Sequence, residues 1–165
     1  MGGRIEDLQN RSLNVVTLIE VQNRQRAVRF DLPWLRKFAA RALPEAAEHS
    51  ADGKFALRDL PEIEIAVVSD KVIARVHRQF MGLPDPTDVI TFGHGEIVMS
   101  AGTAQVRAAE FAHSIEAELG LYTVHGLLHL NGFEDATARD AGRMHKIQDR
   151  IWRSCLAQLQ PPHRK

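Results

Sequence analysis

The order of strand-like and helix-like segments along the chain constrains its fold more than any other feature. Residues 15–21 (VVTLIEV) are rich in β-branched side chains, and residues 62–68 (EIEIAVV) alternate between polar and apolar, so both predict strands. Between them, Asp31 followed by Pro33 predicts the start of a helix, because proline is tolerated in a first helical turn. A second helix follows residue 68, with Ser69 as its N-cap.

Pro44 and the stretch after it, EAAEHSADGK, predict that the first helix ends at the proline and gives way to a loop. Further along, two short strand-like runs, VITF at 89–92 and EIVM at 96–99, flank Gly93-His94-Gly95. Glycines at such a junction are typical of a tight β-hairpin, because they accept positive backbone φ angles. The sequence therefore predicts one antiparallel pair among strands that are otherwise separated by helices.

Two helical patterns complete the chain. One runs from Thr103 to Leu130 with a break near Ser114, and the other runs from about Thr137 to Leu159. The resulting order, β-α-β-α-β-β-α-α, predicts an α+β fold: a small four-stranded mixed sheet packed with about five helices in a single domain. A chain of 165 residues is long enough to build one core. Residues 1–12 and 160–165 are expected to be flexible tails.

Composition sets only weak limits on partners and location. Lysine plus arginine and aspartate plus glutamate both number 21, so net charge points neither to nucleic acid nor to a membrane, although a local basic face is still compatible with RNA. The single cysteine, Cys155, excludes an internal disulfide and suits a reducing compartment. The sequence shows no signal peptide and no apolar run long enough to span a membrane, so we expect a cytoplasmic protein.

The strongest chemical signal is VHGLLHLNGFED, residues 124–135. His125 and His129 are four residues apart, so on a helix they project from one face and can share a metal ion. Gly132 can adopt the left-handed conformation that ends a helix, which allows Asp135 to approach the ion from the other side. The spacing H-x3-H-x2-G-x2-D resembles that of the metzincin zinc peptidases, with Asp in place of the third His. Two nitrogens and one carboxylate oxygen are an acceptable zinc ligand set and leave a fourth position for water.

Two neighbours of these ligands bear on the chemistry. Glu134 is adjacent to Asp135 and also acidic, so it is an alternative third ligand or a candidate catalytic base, while the spacing favours Asp135 as the ligand. Gly126 occupies the position at which HExxH-type zinc peptidases carry the glutamate that activates water. A peptidase would lack its base here, so we predict a different hydrolysis that uses one zinc ion per chain.

Two segments resemble the YbeY family of metal-dependent endoribonucleases, the rRNA maturation factors. HGLLHLNGFED resembles the family signature, and PTDVITF (86–92) followed by GEIVM (95–99) resembles the family's Pro-Thr-Asp-Val strand and its Gly-Asp-Ile partner. The resemblance implies a single metal-dependent hydrolase domain over 1–165 that cleaves single-stranded RNA with a bound zinc ion. It also implies ribosomal RNA and the ribosome as partners, roles in rRNA maturation and ribosome quality control, and no membrane partner.

Carried over by position, the resemblance assigns the zinc ligands to His125, His129 and residue 135. The family usually has His at the third position, where this chain has Asp135. We expect the carboxylate to bind, since zinc accepts two nitrogens with one oxygen. Its extra negative charge should make a water on the metal less acidic and the site less electrophilic toward a phosphodiester.

A second departure is Met81, which stands where the family usually has an arginine after an aromatic residue, here Phe80. A guanidinium at that place would hold a phosphate or stabilise charge on the reacting phosphorus. Arg78 or Arg75, earlier on the same predicted helix, could supply it, and we take Arg78 as the tentative catalytic arginine. Both could equally be solvated surface charges.

Asp88 and His113 are candidates for orienting the ligand histidines. Asp88 could do so from beside the metal, or it could satisfy turn amides where the strand begins. His113 with Ser114 resembles a His-Ser pair of the family, and Ser114 alone is typical of a helix cap. We expect residues 125–135 to lie against the Pro-Thr-Asp-Val strand, so that both family-like blocks form one cleft.

The alternative function is a weakly or non-catalytic metal-binding ribosome-assembly factor of the same fold, in which Met81 and Asp135 mark lost activity. The two functions differ in whether an arginine lies in the pocket beside the metal, since a guanidinium there could hold a phosphate. The sequence leaves open the nucleophile (water or a 2′-hydroxyl), the RNA target and the oligomeric state.

Overall fold

The structure, a computed structural model, describes residues 17–54, 56–85 and 87–163. Within them the chain forms one four-stranded sheet and five α-helices, which confirms the predicted α+β fold in a single domain. The elements, in chain order, are β1 (Leu18–Asn23), α1 (Leu32–Ala47), a 3₁₀ turn (Ala56–Asp59), β2 (Glu62–Val68), α2 (Asp70–Met81), β3 (Val89–Phe92), β4 (Glu96–Ser100), α3 (Ala101–Glu110), α4 (Ile115–Leu130) and α5 (Ala138–Gln158). No described helix is long and apolar enough to cross a membrane.

The sheet has the order β1-β2-β4-β3, in which β1, β2 and β4 are parallel and β3 runs antiparallel to β4. The parallel strands are connected through helices, as parallel pairs require, and the antiparallel pair is the predicted hairpin. Gly95 in the hairpin turn has a φ of +113°, and a Cβ there would lie 2.5 Å from the carbonyl oxygen of Glu62. Backbone conformation and space therefore both require glycine at this turn.

Helices cover both faces of the sheet. The main core lies on one face, where α1, α4 and α5 enclose strand residues such as Ile63, Ile65 and Ile97, all of them buried. A smaller core lies on the other face, where Ile73 of α2 packs with Ile90 and neighbouring small aliphatic side chains. Strands β2 and β4 are thus buried on both faces, as is usual for parallel strands covered by helices.

α4 is the central helix of the main core, and glycines set its distance from its neighbours. A Cβ at Gly120 would lie 2.9 Å from the ring of Phe38 on α1, and a Cβ at Gly126 would lie 2.8 Å from the side chain of Ile97 on β4. Neither separation leaves room for a methyl group without a shift of the neighbour, so the two glycines allow α4 to pack closely against α1 and the sheet. The close packing fixes the rotation of α4 and thereby the direction in which its two histidines project.

The prediction that Pro44 ends the first helix is wrong. α1 continues through Pro44 to Ala47. Proline lacks the N–H that would bond to the carbonyl of Ala40. Both residues are exposed, so water can donate a hydrogen bond to that carbonyl instead. Beyond the proline, Ala46 is fully buried in the core, and its packing stabilises the last helical turn.

The ends of the chain are described in part. Of the predicted first strand, residues 15 and 16 lie outside the described residues, as does the predicted tail at 1–12, while β1 extends to Asn23. In the predicted tail at 160–165, the carbonyl of Gln160 accepts a hydrogen bond from Nε1 of Trp34 at 3.1 Å. Cys155 is a buried free thiol packed in the core.

Candidate metal centre

Two histidines of α4 and one aspartate after it converge on one point. Nε2 of His125 lies 3.0 Å from Nε2 of His129, and Oδ2 of Asp135 lies 3.6 Å and 3.5 Å from those two nitrogens. Zinc bonds of about 2.0–2.1 Å in tetrahedral geometry place ligand atoms about 3.3 Å apart. The three separations bracket that value, so the donor set fits a zinc ion. In the described part of the chain, these residues form the one group of histidine, cysteine and acidic side chains whose atoms could hold a metal.

The turn after α4 brings the aspartate back toward the helix. α4 ends at Leu130, and Gly132 has a φ of +93°, the left-handed conformation predicted from its place in the motif. The amide of Phe133 then donates to the carbonyl of Leu128 at 3.0 Å, which closes the turn. The chain thus reverses within a few residues of the second histidine.

A buried asparagine holds this turn against the rest of the domain. Oδ1 of Asn131 accepts a hydrogen bond from the amide of Leu57 at 3.0 Å, and its Nδ2 donates to the carbonyl of Ala46 at 3.1 Å. The side chain is fully buried, so these bonds are shielded from competition with water. The position of Asp135 is therefore supported by the ends of two other elements and not by its own loop alone.

A hydrogen bond at the second ring nitrogen orients each histidine. Nδ1 of His129 lies 2.8 Å from the carbonyl oxygen of Phe133, and Nδ1 of His125 lies 2.7 Å from Oε1 of Gln148 on α5. Because a carbonyl oxygen only accepts, Nδ1 carries the proton in each ring, and the lone pair of Nε2 faces the point of convergence. Such outer contacts are typical of metal-binding histidines. Burial lowers the pKa of His125, which favours the neutral ring that a metal needs.

A cleft of about 230 Å³ opens beside the histidines. Its walls include His125 and also Asp88, which precedes β3, so the two family-like blocks meet as predicted. Arg107 of α3 and His145 of α5 face the same cleft. The other described residues that line it are Phe111, Glu118, Leu121, Tyr122 and Gln148. The cleft beside His125 therefore contains an arginine.

Asp88 accepts hydrogen bonds where β3 begins, which is the alternative role that the sequence suggested for it. Its Oδ1 accepts hydrogen bonds from the amide of Val89 at 2.8 Å and from Oγ1 of Thr87 at 3.3 Å. Nδ1 of His125 is hydrogen-bonded to Gln148, and a part for Asp88 in orienting that ring stays a prediction. Asp88 is exposed and contributes its charge to the cleft.

His113 lies at the other end of α4 from the candidate metal ligands. Its Nε2 pairs with the buried carboxylate of Glu118, and its ring lies edge-on to Trp152 with centroids 5.5 Å apart. Glu118 lines the cleft, so His113 contacts the site through Glu118 and not through a ligand histidine. The side chain of Ser114 accepts from the amide of Ala117 at 3.0 Å, which confirms it as the helix cap.

Glu134 and Arg78, the predicted catalytic residues, belong neither to the group of three candidate ligands nor to the described lining of the cleft. Glu134 is exposed and lines a different surface depression, together with Asp140 and Arg143. Arg78 is exposed on α2. Their catalytic roles stay predictions, and Arg107 is the better-placed arginine.

Gln148 is a site residue that the sequence could have indicated. It stands in the buried stripe of α5, which Met144, Ile151 and Cys155 complete. A polar side chain at such a position needs a buried partner. Arg107 and His145 carry no comparable signal, since both are exposed helix residues that only the packing of α3 and α5 brings to the cleft.

The sequence matches the family model described as Endoribonuclease YbeY over residues 20–155. It is similar to the Endoribonuclease YbeY of Bacillus licheniformis, with 32% identity over 136 residues that cover 71% of this chain and 78% of that protein. It is also similar to that of Solibacter usitatus, with 32% identity over 129 residues that cover 75% and 78%. The solution structure of TM1509 from Thermotoga maritima has a similar fold, with a TM-score of 0.59 and 23% identity over 86% of this chain and 91% of that one.

Proposed function

The chain belongs to the YbeY family of endoribonucleases, and on that basis we propose that it is a zinc-dependent endoribonuclease that cleaves single-stranded RNA. The observation that carries the proposal is the convergence of two Nε2 atoms and one carboxylate oxygen at separations of 3.0–3.6 Å beside an open cleft. Ribosomal RNA as the substrate, association with the ribosome, a part in rRNA maturation and ribosome quality control, and a cytoplasmic location belong to the same proposal.

His125, His129 and Asp135 would hold the zinc ion, and the carbonyl-bound Nδ1 atoms would keep both rings turned toward it. A zinc ion held there supplies Lewis-acid chemistry, because it polarises a phosphate oxygen and makes a water molecule more acidic. Three protein ligands leave one position open, and the cleft beside His125 is where an RNA phosphodiester would reach it. The geometry is compatible with attack by water or by the neighbouring 2′-hydroxyl.

Asp135 changes the electrostatics of the centre. A third imidazole would leave the charge of the metal undiminished, whereas the carboxylate cancels part of it and weakens the pull on a phosphate. Arg107 offsets this loss, because a guanidinium in the cleft can pair with phosphate oxygens. An arginine beside the ligands favours the nuclease over a non-catalytic assembly factor. No proton transfer is assigned to Glu134, whose carboxylate lines another depression.

The test uses the two adjacent acids as matched variants. Metal content and cleavage of single-stranded RNA are measured for the parent, Asp135→Ala and Glu134→Ala, each with and without a chelator. We expect about one zinc ion per chain in the parent and in Glu134→Ala, and chelator-sensitive cleavage by both. Asp135→Ala should lose both properties. Loss of zinc from Glu134→Ala but not from Asp135→Ala would show that the third ligand is misassigned, and chelator-resistant or absent cleavage in the parent would refute the nuclease.

A further inference from the structure

The α3 end of the cleft carries an exposed aromatic ring. Phe111 follows the last turn of α3, lines the cleft and is 64% exposed. Its ring lies nearly parallel to that of His113, with 20° between the planes and centroids 6.2 Å apart. A single exposed phenylalanine is not unusual in a soluble protein. Its place in a cleft that also contains His125 and charged side chains is what suggests a use for the exposed ring.

Arg107 precedes Phe111 by one helical turn, so both side chains project from the same side of α3. The guanidinium pairs with Oε2 of Glu110 at 3.2 Å, and both side chains are about half exposed (55% and 52%). Such a solvated pair contributes little stability. Arg107 can therefore exchange Glu110 for an anionic ligand in the cleft without a large energetic cost, and its planar guanidinium can pair with a phosphate through two hydrogen bonds.

Tyr122 faces these two residues from α4, one turn before His125. Its side chain is buried, with 4% exposure, and its hydroxyl lies beside the carboxylate of Glu118 without a hydrogen bond of good geometry to any described residue. A buried polar group without such a partner is costly and uncommon. Burial, with the nearby charges of Glu118 and Asp88, raises the pKa of Tyr122, so the hydroxyl keeps its proton and can donate.

We propose that Arg107, Phe111 and Tyr122 form a subsite that binds one unpaired nucleotide of RNA next to the metal centre. The ring of Phe111 stacks on the base, the guanidinium of Arg107 pairs with the phosphate, and the hydroxyl of Tyr122 donates to a phosphate or ribose oxygen. This inference rests on the proposed ribonuclease function and deepens it. A base in a duplex is covered by its neighbours, so a stacking subsite selects single strands.

The test is the affinity of the zinc-loaded full chain for a six-nucleotide 2′-O-methyl RNA, whose blocked 2′ oxygens cannot attack phosphorus. Binding is followed by fluorescence anisotropy, and the oligonucleotide is checked for integrity after each titration. Phe111→Ala should raise Kd roughly ten-fold, as expected for the loss of one stacked base. Val106→Ala is the matched control, because Val106 is 58% exposed on the same helix and is not among the described residues that line the cleft. It should bind within two-fold of the parent.

Charge is tested separately. Arg107→Gln should also raise Kd and should reduce the slope of log Kd against log salt by about 0.7, the value for one phosphate contact on a single strand. Arg150→Gln, an exposed arginine of α5 outside the described lining of the cleft, is the control. Glu110→Gln should lower Kd, because it frees the guanidinium. With an abasic oligonucleotide of the same length, Phe111→Ala should have no effect, whereas Arg107→Gln should keep its effect.

The outcomes separate the subsite from the ribonuclease itself. If the parent cleaves RNA while Phe111→Ala and Arg107→Gln bind like their controls, the subsite is wrong and the ribonuclease stands. If the parent cleaves no RNA yet these variants lose affinity as described, the subsite stands as a nucleotide-binding site and the ribonuclease is wrong. An equal effect of Phe111→Ala on the base-bearing and the abasic strand would also overturn the subsite, since stacking requires a base.

Discussion

α4 presents two faces that follow different physical rules. Where the helix meets the sheet, Gly126 leaves no room for a Cβ, which would lie 2.8 Å from Ile97. Tyr122, His125 and His129 instead recur at the spacing of one helical stripe and face the cleft and the metal centre. The face toward the sheet is closely packed with apolar side chains, whereas the face toward the cleft presents polar atoms that a ligand can reach.

This contrast explains why the residue after the first histidine is glycine. That position is turned about 100° from His125 around the helix and points to β4. A glutamate could not be placed there as a catalytic base, because even a methyl group would displace Ile97. Close packing at this position therefore excludes the peptidase base. Changes on the packed face should alter stability, and changes on the cleft face should alter metal or RNA binding.

The largest effect is expected on the cleft face. His129→Ala removes one of three ligand atoms, so the variant should lose its zinc, and RNA cleavage should fall to the level of the chelated parent. His145→Ala is the control, because His145 lines the same cleft without belonging to the ligand group. Metal analysis and a cleavage assay on both variants check this. Equal zinc content in the two variants would contradict the assignment of His129 as a ligand and of His145 as a residue that only lines the cleft.

A smaller effect on zinc affinity is expected from Gln148, which contacts His125 and not the metal. Gln148→Ala removes the acceptor that orients His125, and loss of such an outer partner typically weakens metal binding about 10–100-fold. Gln148→Glu should retain tight binding, since a carboxylate also accepts from Nδ1. Competition with a chromogenic zinc chelator measures the affinities. An alanine variant that binds as tightly as the parent would show that packing alone orients the ring.

On the packed face the expected effect is on stability. Gly126→Ala should cost about 1–3 kcal/mol for overpacking against Ile97, offset by about 1 kcal/mol from the better helix propensity of alanine. The net loss of about 0–2 kcal/mol corresponds to a fall in Tm of up to about 8 °C. Gly142→Ala is the matched control, because nothing lies within 4 Å of a Cβ there. It should be neutral or slightly stabilising, and a fall in Tm equal to that of Gly126→Ala would contradict the contrast between the faces.

The smallest effects on RNA cleavage are expected from residues that lie on neither face of α4. Arg78 and Met81 are exposed residues of α2 and are not among the described residues that line the cleft, whereas Arg107 is. Arg78→Ala and Met81→Arg should therefore each change the rate of RNA cleavage less than about three-fold, provided that Arg107 supplies the guanidinium. A gain near the 10²–10³-fold expected of a new charge-stabilising donor in Met81→Arg would show that the site lacks an arginine.

Local patterns were enough to predict the parts of the molecule that depend on neighbours in sequence. His125, His129, Gly132 and Asp135 lie within one helix end and one turn, so their spacing alone predicted that they converge. The hairpin and the helix caps were predicted for the same reason. The prediction from Pro44 was wrong because the energetic cost of a proline inside a helix depends on whether the carbonyl that it leaves without a hydrogen bond is buried. A sequence does not show this burial.

The remaining part of the site depends on how distant elements pack. Arg107 and Gln148 reach the cleft from α3 and α5, and their positions follow from the packing of those helices on α4 and not from any spacing along the chain. The sequence could indicate that Gln148 needs a buried partner, but not that this partner is His125. The candidate metal ligands were therefore predictable, whereas the rest of the cleft wall was not.

The proposed ribonuclease requires zinc bound by His125, His129 and Asp135 for RNA cleavage. The most direct test is to titrate chelator-treated protein with zinc and to follow bound zinc and the cleavage of a single-stranded RNA in the same samples. We expect both to rise together and to reach a plateau at one zinc ion per chain. Full cleavage before zinc is added, or one bound zinc ion with no cleavage, would contradict it.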